Sequence, residues 1–331
     1  VSLRLGILDQ SPVVAGSDPE RAIAATIALV RRAEVLGYHR YWFAEHHGRE
    51  HAFASGAPEL MIARLAAETS RIRLGSGGVL LSHYSPLKVA ESFRLLEAFA
   101  PNRIDLGIGG GTGADEETER ALAGATTHAV SYPQRVGELL TFLGDGFPTG
   151  HPFRHVAVTP VIGRMPEPWM LGSTRRGAAL AAEFGIPFAY AHFIKGDGTD
   201  VTSLYRSTYR PSARFPQPRV LLTVAAYCSP DAEERDDFIT TLRVRRARMY
   251  LERDPRPPTP EEARHYSAGA EARRHMQDTT RIAILGSPSD MRARLHDVAD
   301  RHGAEDVLII TVAPDYASRS RSYEAIASAC A

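Results

Sequence analysis

Residues 42–51 read WFAEHHGREH, three histidines and two glutamates in ten positions, directly after an apolar run. An imidazole titrates close to neutrality and also ligates metals, so the cluster has three readings: a metal site, an acid–base group, or histidines that only hydrogen-bond. His47 and His51 are four apart and would share a helical face. His46 and His47 are adjacent at a strand end, where neighbours point to opposite faces, so they do not converge on one ion. The first strand candidate, LRLGILD, also lacks the HxH pair of metal-binding hydrolase barrels. The residues therefore argue against a metal and leave His46 as an acid–base group beside the plainer structural reading.

Three further segments have a chemical composition of interest. LGSGGV (74–79) carries the consecutive glycines Gly77 and Gly78, where a backbone bends sharply or lets a ligand approach closely. GIGGGTGAD (107–115) is glycine-rich through Gly109 and Gly110 but lacks the lysine of a P-loop. LGSTRRG (171–177) offers Gly172, Ser173 and Thr174 at a helix start, where free N–H groups and hydroxyls suit an anion such as phosphate, with Arg175 or Arg176 at hand. An ordinary tight turn and simple N-capping are the alternatives.

Short apolar runs alternate with amphipathic segments along the whole chain, the rhythm of a parallel sheet. Eight strand candidates stand out: 3–8, 40–44, 72–77, 103–109, 168–173, 187–193, 219–228 and 306–312. The intervening segments have helical period and good caps, as in DPERAIAATIALVRRAEVLG, with Asp18 as N-cap, Pro19 in the first turn and Gly37 at the end. An α/β fold follows, a TIM (β/α)8 barrel with irregular insertions, forming a single domain over 1–331 with excursions at 145–167 and 253–280. A doubly wound open sheet is disfavoured because LDQSPVVAGSDPE lacks GxGxxG. In a barrel, chemistry sits where strands hand over to helices, and every segment above lies at such a junction.

Composition narrows the partners. Thirty-nine basic residues balance thirty-nine acidic ones among 331, so no net field draws the chain to nucleic acid or an anionic membrane. No stretch reaches the roughly 20 apolar residues of a membrane span. The two cysteines, Cys228 and Cys330, have no disulfide or zinc spacing, which fits a cytoplasmic protein acting on a small molecule.

Together, ILDQSP, GYHRYWFAEHH, RIRLGSGGVLLSHYSPLKVAESFRLLEAFAPNRIDLGIG, WMLGSTRRGAALAAEFGIPFAYAHF and LGSPSDMRARL resemble the bacterial luciferase-like flavin monooxygenases, especially their short single-chain subgroup. The resemblance implies FMN at the C-terminal mouth of the barrel, with His46 as a general base beside the ring and Glu45 and His47 supporting it. It puts a non-proline cis peptide at Gly77–Gly78, and the phosphate on Gly172, Ser173 and Thr174, with Gly109 and Gly110 in the cofactor wall. His47, His192 and Tyr132 become candidates for the substrate wall. The implied reaction uses O₂ and reduced FMN from a separate NAD(P)H:flavin reductase, through a C4a-(hydro)peroxyflavin, in a homodimer. A deazaflavin (F420)-dependent oxidoreductase and a non-catalytic flavin-binding relative are the rivals. One departure stands out: many relatives have an arginine after the fourth strand, where this chain reads Gly109-Gly110-Gly111. Its loss implies weaker phosphate binding unless Arg175 or Arg176 substitutes.

Overall fold

The computed structural model describes residues 3–49, 51–111, 113–123, 130–252, 254 and 256–331. The strands are β1 (Arg4–Asp9), β2 (Arg40–Phe43), β3 (Arg73–Leu80), β4 (Ile104–Gly109), β5 (Glu167–Gly172), β6 (Phe188–Tyr190), β7 (Val220–Cys228), β8 (Ala283–Gly286) and β9 (Asp306–Ile310). The helices are α1 (Pro19–Val35), α2 (Pro58–Ala66), α3 (Pro86–Phe99), α4 (Glu116–Ala123), α5 (Tyr132–Leu143), α6 (Arg175–Glu183), α7 (His192–Lys195), α8 (Thr199–Thr208), α9 (Ala232–Ala247), α10 (Pro260–Arg264), α11 (Ala270–Ile282), α12 (Pro288–His302) and α13 (Tyr316–Cys330). Strands β1 to β6 pair in parallel in chain order, β6 pairs with β7, β7 with β9, and β9 returns to β1. The result is the closed eight-stranded barrel that the strand rhythm predicts.

Two details differ from the sequence-based expectation. The segment 187–193 has the pattern of one strand, but β6 stops at Tyr190 and the chain turns into α7, so His192 opens a short helix. β8 is an additional strand that pairs with the upper half of β7, Ala225 to Cys228. It is only four residues long and follows α11 with no intervening residue, so no turn residue marks its start. The excursion at 253–280 is partly helical, with α10 and most of α11 inside it.

Alternation along the strands sorts residues into two layers. Tyr41 and Phe43 of β2 join the core between sheet and helices, whereas Trp42 and Ala44 belong to the cluster inside the barrel with Leu8, Trp169, Leu221 and Leu308. The Trp42 and Trp169 rings meet at 5.8 Å and fill much of the lumen. At Gly75 a Cβ would lie 2.7 Å from the Trp42 ring, so this inward position has no room for a side chain.

The N-terminal end of the barrel is closed by charge. Arg40 donates to Asp105 at 2.6 Å and to Asp306 at 3.3 Å, Arg73 donates to Asp105 at 2.9 Å, and Arg4 holds Asp306 at 2.7 Å. Trp42 and Trp169 each donate an indole N–H into this layer, to Asp105 at 2.9 Å and Glu167 at 3.0 Å. Burial alone would disfavour the Arg40 charge, but the surrounding carboxylates outweigh it and raise its pKa. With the lower end plugged, the upper end is left for a ligand.

Candidate active site

The C-terminal ends of the strands surround a cavity of about 520 Å³. Leu8 and Gln10 come from the end of β1, Ala44, Glu45 and His46 from β2, Gly77 and Gly78 from β3, and Gly109 and Gly110 from β4. Beyond these lie Tyr132, Met170, Gly172, Ser173, Thr174 and Arg176. Of the residues singled out in the sequence, the cavity gathers His46, the four glycines of β3 and β4, Gly172, Ser173, Thr174 and Tyr132. His47 and His192 are not among its lining residues.

His46 stacks on Phe53, with ring centroids 4.2 Å apart, and its Nδ1 is buried without a hydrogen-bond partner among the described residues. Burial, helped by the positive charges of Arg49 and Arg245, pushes its pKa down to about 4. The ring is therefore neutral at pH 7, with a nitrogen able to take up a proton. His47 turns elsewhere. Its Nε2 lies 2.8 Å from Glu45 Oε1, and Glu45 also accepts the Leu80 N–H at 3.0 Å and the Tyr84 hydroxyl at 2.7 Å. The second EHH imidazole thus fastens the ends of β2 and β3 through one buried carboxylate. His192 packs edge-on against His302 at 6.0 Å, and burial lowers its pKa to about 4.

The peptide Gly77–Gly78 is cis. At Gly78 a Cβ would come within 2.8 Å of the Gly107 carbonyl oxygen, so neighbouring backbone excludes a side chain there. After β4, the missing arginine has a local counterpart: a Cβ at Gly110 would stand 3.0 Å from the Tyr132 ring. Tyr132, in the first turn of α5, occupies that space and donates to the Met170 sulfur at 3.4 Å.

At the start of α6, the Thr174 hydroxyl accepts the Gly177 N–H at 3.2 Å, so Thr174 caps the helix beside the cavity. The two neighbouring arginines diverge. Arg175 pairs with Asp200 at 2.9 Å on the surface, whereas Arg176 lines the cavity. The helix start and Arg176 thus border the same cavity, and a helix N-terminus beside a guanidinium is chemistry that suits an anion.

Some lining residues escape the sequence patterns. Gln10 sits between Asp9 and Ser11, and Asp9 is a buried hub that accepts from Ser11 N–H at 2.7 Å, Thr26 at 3.0 Å, Arg319 at 2.6 Å and Tyr41. The motif ILDQSP is visible in the chain, but Arg319, on the last helix, carries no local signal of its role. Phe193 and Tyr250 also line the cavity; Tyr250 comes from a π-helical turn at Arg248–Glu252 that continues α9.

The sequence profile of the family described as luciferase-like monooxygenase matches residues 3–305. The chain belongs to that family. It is 31% identical over 325 residues to the luciferase-like monooxygenase of Escherichia coli K12, covering 98% of this chain and 96% of that one. The crystal structure of apo-MsnO8 superimposes with a TM-score of 0.88 at 36% identity, covering 99% of this chain and 98% of the other. The oxygenating constituent of 3,6-diketocamphane monooxygenase from Pseudomonas putida, solved with FMN, shares the fold at a TM-score of 0.70 and 18% identity, covering 99% and 97%. This chain is thus an oxidoreductase of the luciferase-like monooxygenase family.

Proposed function

We propose that the protein is an FMN-dependent monooxygenase that takes reduced FMN from a separate NAD(P)H:flavin reductase and transfers one oxygen atom of O₂ to a small organic substrate. One observation carries this reading: a single cavity at the barrel mouth is lined by a neutral imidazole with an orphaned nitrogen, a glycine-walled slot and a capped helix start. The volume of about 520 Å³ lies in the range of cofactor sites. Glycines at 77, 78, 109, 110 and 111 leave backbone surfaces against which a flat ring can lie. The start of α6, with Ser173, Thr174 and Arg176, would hold the phosphate. Arg176 replaces in charge what Gly110 lacks.

Bound reduced FMN would supply the activation of O₂. The chain's own part is positional and electrostatic. Leu8, Met170 and Leu180 line the cavity and limit water around the reacting centre. His46, neutral at pH 7, would accept a proton at its cavity face and return it as the substrate reacts. Glu45 and His47 would hold the loop bearing His46 through the bonds from Leu80 and Tyr84. By resemblance, we further propose that the enzyme is a homodimer.

Fluorescence titration with FMN and with the deazaflavin F420 tests the cofactor. The expected result is saturable quenching of FMN and weaker binding of F420; the reverse preference would move the assignment to hydride transfer. Rapid NADH oxidation by the isolated chain with catalytic FMN would remove the need for a separate reductase.

A further inference from the structure

Three arginines are buried among the described residues: Arg40, Arg245 and Arg319. Arg40 is matched by Asp105 at 2.6 Å and Arg319 by Asp9 at 2.6 Å. Arg245 has no such counter-ion among the described residues. It is 4% exposed and donates there only to two backbone carbonyls, Val13 at 3.1 Å and Ala52 at 2.7 Å. Its neighbour Arg246 donates to the Phe193 carbonyl at 2.8 Å, keeps a buried Nε without a partner, and has no carboxylate within ion-pair distance among the described residues. Burial lowers both pKa values, that of Arg245 to about 10. A buried guanidinium without a counter-ion is costly, and such charges are ordinarily paired.

Both arginines line a small chamber of about 50 Å³, walled mainly by apolar groups that include Phe53, Phe238, Leu242 and Val312. This chamber adjoins the main cavity, with Gln10, Phe193 and Tyr250 lining both. Phe53 links it to the proposed reaction centre: its ring stacks on His46, and the Arg245 guanidinium lies 5.7 Å from its centroid. Arginines in the last turn of a helix ordinarily serve the helix dipole from the surface. These two reach inward from the end of α9, where the π-helical turn also brings Met249 and Tyr250 to the chamber.

We propose that the substrate is an organic carboxylate with an apolar body, its carboxylate held by Arg245 and Arg246 and its body directed past Phe53 toward His46. This rests on the flavin-site reading above and names the substrate class for that site. A guanidinium fork matches a planar carboxylate, and the counter-ion that no described residue supplies arrives with the substrate.

The test uses 3-phenylpropanoate and its uncharged amide as probes. They are titrated into FMN-loaded protein while the oxidised flavin spectrum is followed, and into flavin-free protein by thermal shift. Wild type is expected to bind the acid roughly tenfold or more tighter than the amide. Arg246→Gln should bring the two within about twofold, with FMN affinity unchanged and the melting temperature not lowered; Arg246→Lys should restore part of the preference. Arg245→Gln also removes ties to Val13 and Ala52, so position 246 is the deciding substitution. Equal binding of acid and amide by wild type, binding of neither, or a preference that survives Arg246→Gln would overturn the proposal. So would weaker FMN binding in Arg246→Gln with the acid preference intact, since the arginine would then serve the flavin. Failure of wild type to bind FMN would instead count against the flavin reading, and the flavin-free titration still judges the arginine pair.

Discussion

The two ends of the barrel are built on opposite rules. At the N-terminal end Arg40, Arg73, Asp105 and Asp306 satisfy one another with short bonds, and the tryptophans above add their indole N–H groups. At the C-terminal end His46 Nδ1 and Arg246 Nε are buried without partners among the described residues, and glycine replaces side chains along the wall. Saturated polar groups mark the end that holds the fold together. The unsatisfied His46 and Arg246 atoms belong to residues that line the cavities of the open end, where a ligand can meet them.

The contrast can be broken most forcefully at the closed end. Asp105→Ala leaves Arg40 and Arg73 short of a buried counter-ion and should cost about 3–5 kcal/mol, a large part of a typical domain's stability. Chemical denaturation measures it, and an unchanged midpoint would mean the plug is not structural. At the open end, His46→Gln should lower coupled oxygenation roughly 10²- to 10⁴-fold while the denaturation midpoint stays where it is. A parallel loss of stability would blur the distinction between the two ends.

Acid should also separate them. His46 and His192 have folded pKa values depressed to about 4, below the ordinary value of 6.5. Between those limits the unfolded chain binds more protons, so this contribution is fully present above pH 6.5 and is lost as pH falls toward 4. Melting temperatures across that interval should fall more steeply in wild type than in a His46→Gln, His192→Gln double variant. The smallest effect concerns caps. Thr174→Ala should cost about 1 kcal/mol and weaken FMN a few-fold, whereas Thr259→Ala, which removes the capping box of α10, should cost a similar amount and leave FMN binding alone.

Much of the site is readable in the chain because it lies at strand ends with local signatures. EHH, the Gly77–Gly78 pair and the GST helix start each lie at or near the end of an apolar run, and a barrel brings such segments to one mouth. The two residues that stand apart from the cavity show the limit. His47 and its neighbour His46 are alike in sequence, yet the first bonds to Glu45 and the second stacks on Phe53 in the cavity wall. His192 has the pattern of a strand residue, yet β6 ends two residues before it. Arg245 leaves a faint mark, since it falls seven residues after Phe238 and three after Leu242, on the buried face of α9. Nothing in that spacing shows whether a carboxylate waits opposite.

The sequence by itself determined the barrel, the glycines and the histidine at its mouth, because hydrophobic period, caps and turn residues act over a few neighbours along the chain. Which arginine meets the cavity, which imidazole is tied to a carboxylate, and which buried charges find a counter-ion among the described residues were decided by tertiary structure. Those outcomes depend on groups hundreds of residues apart, such as Asp9 and Arg319, whose pairing is set by strand closure rather than by any local pattern.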